Sequence, residues 1–314
     1  MNGLQSMGDA QGAQMEEKYF AAHDGTRIAY HTIGEGPPLM LANGLGGTYI
    51  AWRHLYSYFR DRFRIITWDY RATYHSSPPT NLEHLRIEDH VKDALMLCEK
   101  EAVTHAIWAG WSMGVQLSLE IYRHAPDLFR ALILINGTPG NIFDTAFDWK
   151  GSSLILPACA TMATRLALPV SLAGRALVQW KGLIGLMKRI GLVGATLDED
   201  IFRDLAREFA SLDVKNYMTI FRSLGEHSTR DILPTVGVPV LVIAGERDPF
   251  TPRRQAEKMV RKLPDAELCV VPGGTHYAPV EYPELVNLRI EKFLRERQLA
   301  GKAGGKSKEC SSVH

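Results

Sequence analysis

Ser112 has the most specific chemical context in this chain. It lies at the centre of Gly110-Trp111-Ser112-Met113-Gly114, after an apolar run at 105–109 and before an apolar-periodic segment at 115–122. A strand, a Gly-x-Ser-x-Gly turn and a helix together form the pattern of a nucleophile elbow, whose tight turn presents the serine hydroxyl. Gly110 and Gly114 fit this interpretation, because a side chain at either position would collide with the neighbouring strand or helix. The motif also occurs by chance, so it needs chemical partners.

Asp248 and His276 are the partners that the sequence offers. A serine hydroxyl is a weak nucleophile at neutral pH, so a base must accept its proton. Of the eleven histidines, His276 alone follows the last predicted strand, 267–271, on a Gly-Gly turn, and Asp248 follows the strand before it, 238–244. The chain order Ser, Asp, His is the one used with this type of elbow. Because ligands bind outside the carboxyl ends of the strands in doubly wound sheets, we expect these groups to meet Ser112 at one sheet edge.

A loop almost without side chains, Asn43-Gly44-Leu45-Gly46-Gly47, follows another short apolar run at 39–42. Such a loop lets backbone N–H groups approach a ligand closely. At Ser112, the predicted helix points its N-terminus at the serine, so the Met113 N–H and the helix dipole would face an oxyanion formed there. Taken alone, the loop fits an ordinary glycine turn slightly better. The ligand-binding interpretation is favoured because the loop follows a predicted strand, as Ser112, Asp248 and His276 do.

Strands and helices alternate along most of the chain, which indicates how these residues are positioned. The strand patterns are apolar throughout, as in a parallel sheet covered by helices on both faces. We therefore predict an α/β fold with a doubly wound, mostly parallel sheet. The predicted strands are 18–22, 26–32, 39–42, 63–68, 105–109, 131–135, 238–244 and 267–271, and the predicted helices around them are 87–100, 115–122, 253–262 and 282–298.

The alternation stops between residues 141 and 231, where the patterns are helical and no clear strand is found. A helical insertion of this length in an α/β chain is typical of a lid over the active site. Within it, the segment 175–192 mixes basic residues with leucines and Trp180. That mixture fits a helix on a membrane surface or, as we favour from the sequence, a lid helix whose apolar face covers the site. The predicted helices are 154–168, 172–190, 198–209 and 214–224.

The domain organisation follows from these patterns. We predict an α/β core of residues 17–140 and 232–300, interrupted by a helical lid at 141–231. The ends, 1–16 and 301–314, are polar and offer nothing to bury, so we predict disordered tails. Trp111, Trp180 and Tyr277 are the candidate residues of the substrate pocket.

Composition excludes several classes of protein. Of 314 residues, 36 are basic and 35 acidic, and a net charge of +1 gives no general attraction to nucleic acid or membranes. The four cysteines lack metal-ligand spacing and the glycine loop does not fit Gly-x-Gly-x-x-Gly, so we predict neither a metal nor a cofactor. The N-terminus has no apolar signal core and the chain has no membrane-spanning run. We expect a cytoplasmic protein with a small-molecule substrate, and the sequence leaves its oligomeric state open.

On these motifs, the chain resembles the α/β-hydrolase superfamily, in its branch of cap-bearing serine esterases, non-haem haloperoxidases and C–C or lactone hydrolases. The resemblance covers about residues 18–140 and 232–298. It implies that Ser112 is the nucleophile, His276 the base and Asp248 the acid that orients the base. It also implies that the backbone N–H groups of Leu45 and Met113 bind the oxyanion, with Gly44 leaving space beside them.

Two loops depart from the pattern of that superfamily. Asn43 stands where a histidine usually precedes the Gly-x-Gly, and Ala72 and Tyr74 replace both glycines of the usual Asp-x-Arg-Gly-x-Gly loop. Because the oxyanion donors are backbone groups, the first change should leave function intact. The second is expected to alter the pocket wall near His75.

The expected function is hydrolysis of small to medium apolar carboxylic esters through an acyl-serine intermediate. A serine at the elbow excludes dehalogenases and epoxide hydrolases, which need an aspartate there to form an alkyl-enzyme ester. A lactonase, thioesterase, C–C bond hydrolase or perhydrolase would use the same three residues, and the sequence does not separate them. From a different class, a ligand-binding protein of this fold with little turnover is the alternative.

Overall fold

Eight strands form one sheet over residues 15–146 and 151–301, the part of the chain that the computed structural model describes. They are β1 (Glu16–Ala21), β2 (Arg27–Ile33), β3 (Pro38–Ala42), β4 (Arg64–Trp68), β5 (Ala106–Trp111), β6 (Phe129–Ile135), β7 (Val240–Gly245) and β8 (Ala266–Val271). Their order across the sheet is β1-β2-β4-β3-β5-β6-β7-β8. The pairings β1–β2 and β2–β4 are antiparallel, and all those from β4 to β8 are parallel. The predicted mostly parallel sheet is confirmed.

Helices connect the parallel strands and form the long insertion between β6 and β7. Within the described residues they are α1 (Arg53–Phe59), α2 (Ile87–Lys100), α3 (Met113–His124), α4 (Ile142–Thr145), α5 (Ser152–Arg165), α6 (Ala167–Gln179), α7 (Leu183–Arg189), α8 (Glu199–Ser211), α9 (Val214–Glu226), α10 (Arg253–Val260), α11 (Ala278–Glu281) and α12 (Pro283–Glu296). We call residues 141–231, which include α4 to α9, the helical insert.

The structure differs from the prediction at the N-terminal tail and at Trp180. Glu16 pairs with Thr32 in the β1–β2 ladder, so the N-terminal tail predicted to end at residue 16 was drawn too long. The rest of that tail, and the C-terminal tail after residue 301, lie outside the described residues. The helix predicted at 172–190 is two helices, α6 and α7, because the chain is extended at Trp180 (φ −74°, ψ 118°). A Cβ at Gly182 would lie 2.5 Å from the Trp180 ring, so the indole packs close to the backbone of the turn between the two helices.

The core consists of two apolar layers, one on each face of the sheet. Neighbouring residues of a strand point to opposite faces, so Met40 packs in the layer with α2, α3 and α10, while Leu39 and Leu41 pack in the layer with α1 and α12. All the residues of β5 and β7 are buried. This arrangement fixes the carboxyl ends of the central strands along one edge, where the loops that follow them meet.

None of the described helices is by itself long and apolar enough to cross a membrane. Helices α5 and α6 satisfy the length and composition criteria only as a pair, and they are bent by 96° where they meet.

Arg71, in the loop after β4, is completely buried and belongs to the framework of the fold. Its Nε and Nη2 donate to the two carboxylate oxygens of Asp93 at 2.7 and 2.6 Å. Its Nη1 donates to Asp24 at 3.0 Å and to the carbonyl of His84 at 2.9 Å. This bidentate geometry satisfies both charges away from water. It ties the loop after β4 to helix α2.

Replacing Arg71 with methionine should cost about 3–5 kcal/mol of unfolding free energy, because it leaves the Asp93 carboxylate buried without its partner. Replacing both residues, as Arg71→Met/Asp93→Leu, should recover part of that loss, since no unpaired carboxylate then remains at position 93. Urea unfolding of the two variants and the parent measures this. A loss below about 1 kcal/mol for Arg71→Met would contradict the assignment.

Candidate active site

Ser112 occupies a strained turn between β5 and α3. Its backbone lies at φ 57° and ψ −113°, a region that costs a non-glycine residue on the order of 1–3 kcal/mol. The turn closes only because two neighbours lack side chains. A Cβ at Gly110 would lie 2.3 Å from the carbonyl oxygen of Gly114, and a Cβ at Gly114 would lie 2.0 Å from that of Ala42. The two glycines therefore have the steric function expected of them.

His276 lies between Ser112 and Asp248 and is hydrogen-bonded to both. Its Nε2 is 2.9 Å from Ser112 Oγ, and its Nδ1 is 2.8 Å from Asp248 Oδ2. Because a carboxylate only accepts hydrogen bonds, Nδ1 carries the proton and Nε2 is left to accept from the serine hydroxyl. The three side chains predicted to converge therefore form one hydrogen-bonded chain, the arrangement that a serine hydroxyl needs in order to pass its proton to an imidazole.

The carboxylate of Asp248 is held in place on all sides. Its Oδ1 accepts hydrogen bonds from the backbone N–H groups of Phe250 and Thr251 at 2.8 and 2.9 Å. Its Oδ2 accepts from the Thr251 hydroxyl at 2.7 Å as well as from His276. The aspartate side chain is fully buried, so these donors replace water and fix its orientation.

Asn136, at the end of β6, fastens the loop that carries His276. Its Nδ2 donates to the carbonyl oxygens of Thr275 and His276 at 2.8 and 2.9 Å, and its Oδ1 accepts from the N–H of Gly245 at 2.8 Å. The Trp111 indole donates to the same His276 carbonyl at 2.9 Å. Sequence analysis missed Asn136. Its position directly after a buried strand at this edge was the available signal.

The glycine loop after β3 lies against Ser112. A Cβ at Gly44 would be 3.3 Å from Ser112 Cβ, and Leu45 shares a cavity wall with the serine. Among the described residues, neither the Leu45 N–H nor the Met113 N–H has a protein acceptor. Two backbone donors near one serine hydroxyl are the arrangement that an oxyanion requires.

Asn43, which replaces a histidine, is a structural part of this loop. Its Nδ2 donates to the carbonyl of Trp68 at 2.8 Å, and its Oδ1 accepts from the Trp52 indole at 2.7 Å. The Tyr70 hydroxyl donates to the Asn43 carbonyl at 2.6 Å. The asparagine therefore joins the loop to the end of β4 through buried hydrogen bonds, and its side chain makes no bond to the Leu45 N–H.

The second departure places two non-glycine residues in left-handed backbone. Ala72 lies at φ 61° and Tyr74 at φ 45°, the positions where glycine is usual. Tyr74 uses this conformation to donate its hydroxyl to the Gly46 carbonyl at 2.5 Å. Burial raises the pKa of the Tyr74 phenol well above its usual value, so it stays a donor. The change supports the glycine loop through Gly46, whereas His75, near which we expected an altered pocket wall, does not line the cavity at Ser112.

A cavity of about 430 Å³ opens beside Ser112 and His276. The loop 44–47, Trp111 and Tyr277 line it from the core, and residues of α6, α7, α8 and α9 line it from the insert. The insert wall is made of side chains such as Leu177, Met187 and Phe202. None of the described lining residues carries a carboxylate, ammonium or guanidinium group. The cavity therefore favours an uncharged, largely apolar ligand.

Two of the three predicted pocket residues line this cavity. Trp111 and Tyr277 do, and Tyr277 packs edge-on against Phe202 of the insert at a ring separation of 5.1 Å. Burial, with the negative charges of Asp248 and Glu281, raises the pKa of Tyr277 to about 12, so the phenol stays neutral near neutral pH. The structure does not place Trp180 in the cavity. It is 52% exposed, because the break between α6 and α7 turns it outward.

A separate cluster of possible metal ligands was not visible in the sequence. Glu17, His31 and His75 bring one ligand atom each within 4.8 Å of one another. They come from β1, β2 and the loop after β4, so no local spacing joins them. None of the three lines the cavity at Ser112.

The fold and the site together define a hydrolase. The chain belongs to the alpha/beta hydrolase family, whose profile matches residues 39–288, so the resemblance inferred from the motifs is confirmed. It is 25% identical over 276 residues to 3-oxoadipate enol-lactonase 2 of Acinetobacter baylyi. The aligned region covers 85% of this chain and 93% of that protein. It is 29% identical to a putative carbamate hydrolase RutD of a Caulobacter species over 276 residues, 84% of this chain and 95% of that protein.

Solved structures agree on the fold. The bromoperoxidase from Bacillus anthracis superposes with a TM-score of 0.74 at 17% sequence identity, covering 89% of this chain and all of that one (100%). At this identity, the likeness concerns the fold alone.

The variant Gly114→Ala should lose about 3 kcal/mol or more of unfolding free energy, because its Cβ would overlap the backbone of Ala42. Gly185→Ala is the matched control, since a Cβ there meets nothing within 4 Å and α7 gains a better helix former. It should be more stable than the parent by roughly 0.5–1 kcal/mol. Chemical unfolding compares the two, and equal stabilities would refute the steric account of the elbow.

Proposed function

We propose that this protein is a serine hydrolase that cleaves small to medium, uncharged, apolar carboxylic esters through an acyl-Ser112 intermediate. One observation carries the proposal. The hydrogen-bonded chain of Asp248, His276 and Ser112 opens onto a cavity whose described lining residues include no carboxylate, ammonium or guanidinium group. Family membership supports hydrolysis as the reaction class.

In the first half of the reaction, Ser112 Oγ attacks the ester carbonyl carbon while His276 Nε2 takes its proton. The carbonyl oxygen becomes an oxyanion, which accepts hydrogen bonds from the backbone N–H groups of Leu45 and Met113. Each such donor is typically worth about 3 kcal/mol in the transition state. The tetrahedral intermediate then breaks its bond to the alkoxy oxygen. His276 returns the proton to this oxygen, the alcohol leaves and acyl-Ser112 remains.

In the second half, His276 removes a proton from a water molecule that attacks the acyl carbon. The same two N–H groups bind the second oxyanion, and Ser112 leaves as the hydroxyl after recovering the proton from His276. The acid product then departs. Asp248 stays ionised throughout and stabilises the imidazolium in both halves.

The cavity distinguishes this proposal from the activity in the name of the enol-lactonase relative. An enol-lactone of 3-oxoadipate retains one carboxylate, because adipate has two and lactone formation uses one. In this chain, none of the described cavity residues is a lysine or arginine that could pair with it. Burying an unpaired carboxylate is costly, which favours a neutral substrate.

We also propose that the helical insert acts as the lid predicted from the sequence. Helices α6 to α9 supply the cavity wall opposite the core, including Leu177, Phe202 and Tyr217. The insert touches the oxyanion loop, since a Cβ at Gly46 would lie 2.7 Å from the Phe209 ring. A wall made of the insert excludes water from the ester bond and makes substrate choice a property of these helices.

A matched pair of esters tests substrate class. p-Nitrophenyl butanoate should be cleaved at least about tenfold faster, in kcat/KM, than the p-nitrophenyl monoester of succinic acid, which adds one carboxylate to a similar acyl chain. p-Nitrophenyl octanoate, a neutral lactone and a thioester complete the panel. Equal rates for the neutral and anionic esters would overturn the assignment to uncharged substrates, and a preference for the lactone or thioester would overturn the ester assignment.

The variant Asp248→Asn tests the proposed roles. The amide presents an N–H or a neutral oxygen to His276 Nδ1 and no longer stabilises the imidazolium, so kcat should fall by about 10³–10⁴-fold. Thr251→Val is the control, because it removes one hydrogen bond to Asp248 and keeps the charge. Its kcat should fall by no more than about 10–150-fold, because one hydrogen bond to a charged group contributes about 1.5–3 kcal/mol. Thermal unfolding shows that both variants fold, and a similar kcat for the two would refute the assignment.

A further inference from the structure

Helices α5, α6 and α7 present large apolar side chains to solvent. On α5 these recur at helical spacing along one face, and on α6 a second row continues after the bend. Leu154 is 78% exposed and Leu168 is 72% exposed. Soluble proteins seldom expose large apolar patches unless a partner covers them. The outer apolar surface, as we call it, consists of Leu154, Ile155, Met162, Leu166, Leu168, Leu172, Trp180, Leu186 and Ile190.

Helix α6 is apolar on both sides. One side lines the cavity at Ser112 through Ser171, Gly174 and Val178, and the opposite side carries Leu168 and Leu172 of the outer apolar surface. None of its residues is fully buried. A surface helix of a soluble protein normally has a polar outer face, and one that is apolar all round lies in a protein core or a membrane.

Helix α8, in the same insert, shows the usual arrangement. It buries Ile201, Phe202 and Leu205 and exposes charged residues such as Asp200 and Arg203. The outer apolar surface is therefore a property of α5 to α7 and not of the insert as a whole.

The segment that contains α5 to α7 carries charged residues of only one sign. Residues 151–197 contain five basic residues and no acidic ones, although the whole chain is nearly neutral. Arg165, Arg175, Lys181 and Arg189 are exposed. Lys188, the fifth, forms an ion pair with Glu199 of α8 at 2.8 Å. Apolar side chains on a segment that itself carries only positive charge are complementary to a surface that is apolar inside and anionic at its boundary.

We propose that the outer apolar surface binds the surface of an anionic lipid bilayer. Leucines and isoleucines would enter the boundary of the acyl chains, Trp180 would lie at headgroup depth, and the exposed basic residues would meet lipid phosphates. The 96° bend between α5 and α6 argues for helices lying at the interface and against a straight span. This is the membrane-surface alternative for residues 175–192, now extended to α5.

Two other occupants fit less well. In a symmetric dimer formed through this face, the same patch would meet itself, so the basic residues of both copies would face one another without acidic partners. The chain's own segments outside the described ranges, 1–14, 147–150 and 302–314, contain few large apolar residues with which to cover nine exposed ones.

The position of α6 gives the binding a consequence that rests on the proposed function. Because the inner side of α6 lines the cavity, an ester dissolved in the bilayer would lie one helix away from Ser112. Displacement of α6 would join the two compartments, so the substrates would include esters that partition into lipid.

Vesicle co-sedimentation with the full chain carrying Ser112→Ala tests binding apart from turnover. Vesicles of phosphatidylcholine with about one-third phosphatidylglycerol should bind the protein, and pure phosphatidylcholine vesicles should bind it less. Leu168→Ser/Leu172→Ser should raise the apparent Kd at least about tenfold through lost apolar contact. Arg165→Gln/Lys181→Gln/Arg189→Gln should weaken binding to the anionic vesicles at least about tenfold and remove most of its salt dependence.

Leu285→Ser/Leu288→Ser is the matched control, because these leucines are 39% and 57% exposed on α12 of the core. This variant should bind vesicles as the parent does. In the Ser112 background, hydrolysis of a soluble short-chain ester should be the same for both leucine variants, which separates a failure of lipid binding from a failure of the proposed function. Absence of vesicle binding, equal binding by the two leucine variants, or a dimer in light scattering that Leu168→Ser/Leu172→Ser dissociates would each overturn the proposal.

Discussion

The architecture of the site depends on the close approach of three backbone segments at the carboxyl edge of the sheet. The end of β3, the turn at Ser112 and the start of α3 meet where Gly114 leaves room for the carbonyl of Ala42. Any Cβ there would push α3 away from β3, and the Met113 N–H would move with it. The strained conformation of Ser112 persists because the buried strands and helices around it are fixed by apolar packing on both faces of the sheet.

Around that contact, buried polar groups set the direction of each functional side chain. Thr251 and two backbone N–H groups orient Asp248, and Asp248 orients His276. Asn136 fastens the backbone of the histidine loop to the ends of β6 and β7. On the oxyanion side, the hydroxyls of Tyr70 and Tyr74 hold the glycine loop by the carbonyl groups of Asn43 and Gly46, and the Leu45 N–H stays open. Each group has its hydrogen-bond partners within the protein, which is the physical basis of preorganisation.

The features that could be predicted from the sequence are those encoded by a local pattern of residues. Apolar strands, the Gly-x-Ser-x-Gly turn and the strand-end positions of Asp248 and His276 were readable because sheet topology brings strand ends together. Asn136 and the Arg71–Asp93 pair were not, because a buried polar residue looks like a surface one until its distant partner is known. The break at Trp180 was missed because the apolar period runs through it, and only the backbone conformation of Trp180 shows where α6 ends. The helical spacing of apolar residues also does not show what each side of a helix contacts, so the sequence could not reveal that α6 exposes one side and lines the cavity with the other.

The central claim is that Ser112 is a nucleophile activated by His276, and covalent labelling tests it most directly. When a serine oxygen attacks the phosphorus of a fluorophosphonate, the probe releases fluoride and remains bonded to that serine. Peptide mass spectrometry therefore identifies the residue that attacked. The account predicts one phosphonyl group per chain, on Ser112, with labelling lost in Ser112→Ala and much slower in His276→Ala. An unlabelled chain that binds apolar esters without cleaving them, or a label on another residue, would contradict it.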